Sequence, residues 1–235
     1  MTRFISALFF SLNLFCHQLW ADLSNYKPGH GSNYSLTLPA SSAPASLQLA
    51  TVSASKNHLT IEVQAQVQGL AGLGHLVQRF TMKKIGGRFK VTEGYIKSPL
   101  LGSNPQKLPP EYLTGADDSL DLTGFLISEN QAKGLKPQRQ VELKLAGDKK
   151  IKADEYVTEA KGITLKSYLS KKASPYGLAA ILSSGPKQSN NYQMAYKGSF
   201  KTYTPVIDPK TAAPLSDFAK SILPKISGAL SLGIR

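Results

Sequence analysis

Hydrophobic and polar residues alternate along most of this chain, and the pattern is clearest between positions 59 and 67. The aliphatic positions are Leu59, Ile61, Val63, Ala65 and Val67, and the polar positions between them are Thr60, Glu62, Gln64 and Gln66. Side chains alternate between the two faces of a β-strand. The pattern therefore predicts a strand with its aliphatic face buried and its polar face in water.

The same period-two alternation recurs between glycine and proline turns. It predicts strands at 47–52, 59–67, 76–85, 88–96, 120–127, 141–145, 151–157, 163–168, 178–182 and 192–196. A short first strand is an option where Tyr34, Leu36 and Leu38 alternate. Short strands at this spacing are typical of an all-β barrel or sandwich. We expect a mainly β fold, a single antiparallel open barrel or half-barrel.

Two stretches depart from the alternation. Residues 98–114 (SPLLGSNPQKLPPEYLT) are rich in proline, and we interpret them as a loop at the rim of the sheet. Residues 208–235 carry apolar side chains at three- and four-residue steps, such as Leu215, Phe218 and Ile222. This spacing predicts a C-terminal amphipathic helix, kinked at Pro224 and packed on the sheet. A helix lying on a membrane surface is the alternative.

The N-terminus has the features of a secretory signal peptide. Arg3 precedes an apolar run from Phe4 to Phe15, and Ala21 offers a small residue at a cleavage point. We therefore divide the chain into a signal peptide (1–21), a flexible leader rich in Ser, Pro and Gly (22–46), a β domain (47–207) and the helix (208–235). The predicted location is the periplasm or the exterior of the cell.

Cys16 invites a different interpretation, a lipoprotein whose cysteine is acylated after cleavage. Bacterial lipoprotein signals have a small residue before that cysteine, and here the residue is Phe15. Cleavage after Ala21 would remove the chain's one cysteine, so the mature protein would have neither a disulfide nor a thiol nucleophile.

The chain is strongly basic, with 28 Lys and Arg against 15 Asp and Glu and a formal net charge of +13. The lysines are spread along the sequence, which is typical of a solvated basic exterior and also suits an anionic envelope surface as a partner. There is neither a recognition-helix pattern nor a stacked aromatic motif, so nucleic acid is not a predicted partner.

Catalytic and metal-binding patterns are weak. His30, His58 and His75 do not stand at metal-ligand spacing, and no G-x-S-x-G motif is present. Residues 53–56 match S-x-x-K, but its companion motifs are missing. An acidic cluster at 117–121 lacks the glycine and distal glutamate of a calcium-binding EF-hand loop. We predict a protein that is not an enzyme and needs no metal or cofactor, with a hydrolase of unrecognised site as a third hypothesis.

Residues 151–200 resemble an exported bacterial domain of uncharacterised function that is related to the lipoprotein-carrier fold. That family has a strand hairpin followed by a W-x-S…P-x-G-L-V-K-like corner. Here the residues that match the corner are Ser170, Pro175, Gly177 and Leu178, with Tyr168 at the aromatic position. Ala179-Ala180 departs from the family's Val-Lys. The resemblance implies an incomplete antiparallel barrel around a helix, with an apolar concave face suited to acyl chains, and it transfers no catalytic residue.

We therefore expect the protein to bind or carry a hydrophobic or lipid-like ligand. The candidate contacts are apolar or aromatic residues of the last strands and the helix: Tyr168, Leu178, Tyr192, Met194, Tyr196, Phe218 and Ile222. The alternative is a structural or adaptor protein whose core is filled by its own side chains.

Overall fold

A computed structural model describes residues 26–37, 45–67, 75–85, 88–113, 136–145, 150–160, 162–186 and 191–221. The predicted signal peptide, the predicted strand at 120–127, the acidic cluster and everything after Ser221 lie outside the described residues.

Within the described residues, twelve strands form one sheet. The strands are β1 (Gly31–Thr37), β2 (Ala45–Ser55), β3 (His58–Val67), β4 (Leu76–Ile85), β5 (Arg88–Lys97), β6 (Gln106–Lys107), β7 (Arg139–Lys144), β8 (Lys150–Ala160), β9 (Ile163–Leu169), β10 (Leu178–Ser184), β11 (Tyr192–Phe200) and β12 (Ala213–Pro214). Their order is β12-β6-β5-β4-β3-β2-β1-β11-β10-β9-β8-β7. Neighbours are antiparallel except β12 and β6, which are parallel. The predicted mainly β, antiparallel fold is confirmed, as an open sheet that does not close into a barrel.

β1 joins the two halves of the sheet, since it pairs with β2 on one side and β11 on the other. It lies inside the segment predicted as a leader, where the alternation of Tyr34 and Leu36 had indicated an optional strand. Both side chains are buried, at 1% and 0% exposure. This burial supplies the apolar contact that holds an otherwise polar segment in the sheet.

One face of the sheet carries the main core, a continuous cluster of buried apolar side chains. Ile61 and Val63 belong to it at 1% and 2% exposure, and Gln66 on the opposite face is exposed, as predicted. Gln64 is half-buried. We call the opposite face of β1–β5 the second face.

The polar face of β3 was predicted to lie in water, and this prediction is wrong for two residues, Thr60 and Glu62. Thr60 is buried at 2% exposure, and its hydroxyl lies 3.3 Å from that of Thr81. Glu62 is fully buried at 0%. Its carboxylate accepts hydrogen bonds from the Tyr203 hydroxyl at 2.6 Å and the Val206 N–H at 2.8 Å, so another part of the chain covers it.

That covering part, residues 201–212, is called the strap here. It leaves the end of β11, passes over β3 at Tyr203, and ends where Ala213 of β12 pairs with Gln106 of β6. On the way Ile207 packs with Val77 and Tyr95 in a small second-face cluster. The strap therefore contacts β3, β4 and β5 on the face opposite the main core.

Beyond β12 the chain returns to the other face, because Leu215 and Ala219 belong to the main core at 5% and 0% exposure. Helical residues begin at Asp217 and not at position 208. Residues 208–216 instead contain a 3-10 turn at Pro209–Thr211 and the short β12. Proline lacks the N–H that a helix interior requires, which explains the late start.

The predicted rim loop is ordered and packs against the core. Two 3-10 turns, Pro99–Leu101 and Pro110–Tyr112, flank β6. Leu108 and Leu113 insert into the main core at 4% and 8% exposure. No helix in the described part of the chain is long and apolar enough to cross a membrane.

Candidate functional site

The connection between β9 and β10, residues 170–177, forms a tight corner, called the corner loop here. Its backbone closes on itself, since the Ser170 N–H donates to the Gly177 carbonyl at 2.7 Å and the Gly177 N–H donates to the Ala173 carbonyl at 2.8 Å. Gly177 has φ of +73°, a region that glycine adopts without strain. The Ser174–Pro175 peptide is cis. The Ser170 hydroxyl donates to the Lys152 carbonyl at 2.6 Å and fixes the loop to β8.

The corner loop is also anchored to the centre of the sheet. The Tyr176 hydroxyl lies 3.0 Å from the Thr51 hydroxyl, and the Tyr176 ring packs against Tyr26 with centroids 5.3 Å apart. The Ser174 carbonyl accepts from the Ser32 hydroxyl at 3.1 Å and the Tyr196 hydroxyl at 3.3 Å. Burial raises the pKa of Tyr176, so its hydroxyl stays protonated. These contacts hold the corner loop rigidly in place, and it forms one wall of an adjoining cleft.

A cleft of about 960 Å³ lies between this wall and one face of β7 and β8, and we call it the corner cleft. Its lining residues are Tyr26, Gln140, Lys152, Asp154, Tyr156, Leu169, Ser170, Lys171, Lys172, Ser174, Pro175, Tyr176 and Gly177. Tyr26 and Tyr176 are also main-core residues, so the cleft borders the main core.

The lining of the corner cleft combines positive charge with an apolar and aromatic surface. Lys152, Lys171 and Lys172 are exposed, against a single carboxylate on Asp154. Leu169 and Tyr156 are half-buried beside them. Burial, and then the charge of Asp154, raises the pKa of Tyr156. A site of this composition can bind an anionic group and an attached apolar group together.

Four of the seven sequence-predicted ligand contacts lie together in the main core. They are Tyr168, Leu178, Met194 and Tyr196, at 6%, 2%, 0% and 8% exposure. None of the four lines the corner cleft. Phe218 lies apart from them, with 51% of its surface exposed. Tyr192 begins β11 but its side chain is outside the described residues, as is all of Ile222.

Tyr168 is part of a polar triad that spans β7, β8 and β9. Arg139 forms two hydrogen bonds with Glu155, from Nε to Oε1 at 2.8 Å and from Nη2 to Oε2 at 3.3 Å. The hydrogen bond with Arg139 lowers the pKa of Glu155. Burial, with a hydrogen bond to Glu155, raises the pKa of Tyr168 to about 12. The Tyr168 hydroxyl is therefore committed to an internal contact.

Sequence reasoning did not identify the corner cleft, although it named the corner residues Ser170, Pro175 and Gly177. Antiparallel pairing of β8 with β9 places Asp154 opposite Leu169, and so brings Lys152 to the corner loop. The available signal was a lysine pair directly before a Ser-Pro-Tyr-Gly corner, which the sequence analysis treated only as diffuse charge.

The histidines of the sequence analysis do not form a metal site. His75 Nε2 lies 3.0 Å from Gln64 Oε1, and His58 Nε2 lies 3.2 Å from the Thr60 hydroxyl. Among the described residues, no group of three or more His, Cys, Asp or Glu is arranged to hold a metal ion.

Comparison with known proteins finds distant likeness only. No family model matches the chain, and no curated protein matches its sequence. The crystal structure of MucB is similar with a TM-score of 0.40 and 11% identity, over 86% of this chain and 62% of that one. MucB in complex with MucA(peri) is similar with a TM-score of 0.39 and 11% identity, over 84% and 58%. This chain thus spans less than two thirds of the MucB chains, and the likeness concerns the fold alone.

Proposed function

We propose that this protein is an exported, non-enzymatic binding protein that takes an anionic, lipid-like ligand in the corner cleft. One observation carries the proposal: three exposed lysines edge a cleft of about 960 Å³ that also presents Leu169, Pro175 and tyrosine rings. Ligand pockets are commonly about 300–1,000 Å³ and pair an apolar lining with a few polar groups.

The charges favour one orientation of such a ligand. A phosphate or carboxylate head would bind near Lys171 and Lys172, because Asp154 on the β8 side repels an anion. Ammonium groups near an anionic lipid contribute about 1 kcal/mol each. The acyl chain would then lie against Leu169 and Tyr156 on the inner side of the cleft.

Titration calorimetry with dodecyl phosphate, below its micelle concentration, tests the site. We expect the double variant Lys171→Gln/Lys172→Gln to bind at least about tenfold more weakly, since two ammonium contacts are lost. The matched control is Lys83→Gln/Lys84→Gln, which removes the same charge from exposed residues at the end of β4. Equal weakening in both variants would mean that only the overall charge of the protein matters.

Export is the second part of the proposal, and the signal peptide predicted at residues 1–21 supports it. We expect the mature protein to begin at Asp22. Mass spectrometry of the protein purified from its own cells checks this point. An intact Met1, or an acylated N-terminal Cys16, would contradict it.

A structural or adaptor protein with a self-filled core is the second candidate. The burial of Leu178 and Met194, at 2% and 0% exposure, favours it, because side chains packed that tightly leave a ligand little of this apolar surface. Failure of the folded protein to bind dodecyl phosphate would favour this candidate over the first.

A further inference from the structure

A second cleft, of about 480 Å³, lies on the second face, and we call it the amide groove. Its polar lining comes from five parts of the sheet: Asn33, Ser35, Ser46, Gln48, Gln64, Gln66, His75 and Lys197. Tyr34, Ala45 and Leu47 border it too, but their side chains are buried in the main core. The amide groove therefore presents polar side chains.

The chemistry of the amide groove differs from that of the corner cleft. Its polar lining has four primary amides and two hydroxyls, and Lys197 and His75 are its basic side chains. A lining with a single lysine is unusual on a chain of net charge +13. Each amide side chain offers both donors and an acceptor. Such a lining complements a ligand whose own groups are both donors and acceptors, such as hydroxyl and acetamido groups.

Three of the four amides, those of Asn33, Gln48 and Gln64, are held in place before any ligand arrives. Gln64 donates from Nε2 to the Tyr203 hydroxyl at 2.7 Å, while its Oε1 lies 3.0 Å from His75 Nε2. Gln48 donates from Nε2 to Asn33 Oδ1 at 3.2 Å. The bonds to Tyr203 and Asn33 each use one of the two donors of a glutamine amide, whereas the contact with His75 uses the acceptor oxygen of Gln64. Fixed side chains lose little conformational entropy on binding, which favours affinity.

We propose that the amide groove binds a neutral oligosaccharide. A lipid tail would find little apolar side-chain surface there, because Tyr34, Ala45 and Leu47 are buried in the main core, and a strongly charged ligand would find a single lysine. A short chain of neutral sugars instead offers many hydroxyl groups, and each of these can both donate to and accept from the amides of the groove. This site is separate from the corner cleft, because the two linings share no residue.

Saturation-transfer NMR with two neutral tetrasaccharides, one of N-acetylglucosamine and one of glucose, tests the proposal. We expect transfer to at least one of them, and at least about tenfold weaker binding by Asn33→Leu/Gln48→Leu, which removes two amides at similar size. Lys83→Gln/Lys84→Gln is the control and should bind the sugars as the wild type does, because neither lysine lines the amide groove. A cooperative urea unfolding transition would show that Asn33→Leu/Gln48→Leu is folded.

Should the double leucine variant fail to fold, Gln66→Ala tests the same groove at an exposed position and should weaken sugar binding. Absence of saturation transfer from the wild-type protein to either sugar would overturn the proposal. Unchanged sugar affinity in the amide variants would overturn it as well.

Discussion

Glu62 is a fully buried carboxylate, and its partners come from the strap and from β4. Tyr203, Val206 and Ile207 all donate to it, the last at 3.1 Å. Arg79 Nη1 lies 3.6 Å from Glu62 Oε1 and donates to the Ile207 carbonyl at 2.6 Å. A buried charge is tolerated when hydrogen bonds replace its lost hydration. Glu62 therefore joins the strap to the sheet.

Removing this carboxylate should destabilise the protein strongly. We expect Glu62→Ala to lower the free energy of unfolding by about 3–5 kcal/mol, since buried donors and Arg79 lose their partner. Urea unfolding measures this value. Glu159→Ala, at an exposed position of β8, is the control and should change it little. Similar small losses in both variants would mean that Glu62 does not hold the strap.

The ionisation of Glu155 makes the stability of the folded protein depend on pH in the acid range. Because Arg139 lowers the pKa of Glu155 in the folded protein, this group stabilises the fold above its unfolded pKa, near 4.5. That contribution disappears as the pH falls below 4.5 and through the lower folded pKa. We expect Glu155→Gln to show a smaller loss of stability than the wild type over this acid range.

Urea midpoints measured at several pH values test that expectation, with Glu142→Gln as the control. Glu142 pairs with Lys150, which also lowers its pKa, but both side chains are more than half exposed. The Glu142–Lys150 pair should therefore contribute less to the free energy of unfolding. The account of Glu155 fails if Glu155→Gln and the wild type lose stability in parallel.

At the scale of single residues, the sequence indicates which side chains face the core. It does not indicate which polar side chains are buried under another segment of the chain. Ile61 and Val63 follow from local alternation. The burial of Glu62 depends on Tyr203, 141 positions later, and alternation carries no information about a contact at that distance.

Strands are the elements that sequence patterns predict best here, because burial of one face is a local property. Ten of the twelve strands coincide with predicted or optional strands, and the exceptions are β6 and β12, of two residues each. Strands that short contain no alternation to detect. They form because the strap brings Ala213 to Gln106, which is a long-range pairing.

The facing of β3 has a direct test. Ile61→Ala should lower the free energy of unfolding by about 2–5 kcal/mol, because it leaves a cavity in a packed core. Gln66→Ala, on the exposed face of the same strand, should change it by less than about 0.5 kcal/mol. Equal effects of the two substitutions would mean that the facing of β3 is misassigned.

At the scale of the whole molecule, the two faces of the sheet carry different chemistry. One face carries the apolar main core, and the second face of β1–β5 carries the strap and the amide groove. In β8, the corner-cleft residues Lys152 and Asp154 alternate with Ile151 and Ala153 of the main core, so they lie on the opposite face of that strand. The sequence predicted a ligand on the apolar face but not the corner cleft. Lys152 comes close to Lys171 and Lys172 only through the pairing of β8 with β9.

Truncation after Asp208 distinguishes binding in the corner cleft from binding at the site predicted from the sequence. It removes Leu215 and Ala219 from the main core and should expose apolar surface there. A ligand that competes with this C-terminal segment should bind more tightly after truncation. Binding in the corner cleft predicts that the affinity for dodecyl phosphate stays the same, because the cleft contains no residue after Gly177. Calorimetry on both proteins distinguishes the two sites.

Photo-crosslinking tests the central claim most directly, because it locates the ligand on the chain. Dodecyl phosphate carrying a diazirine on its acyl chain would be irradiated with the full-length protein, and labelled peptides would be identified by mass spectrometry. The corner cleft predicts labels within residues 152–156 and 169–177, reduced in Lys171→Gln/Lys172→Gln but not in Lys83→Gln/Lys84→Gln. Labels concentrated at Leu178, Met194, Tyr196 or Phe218 would contradict it and return the ligand to the apolar face.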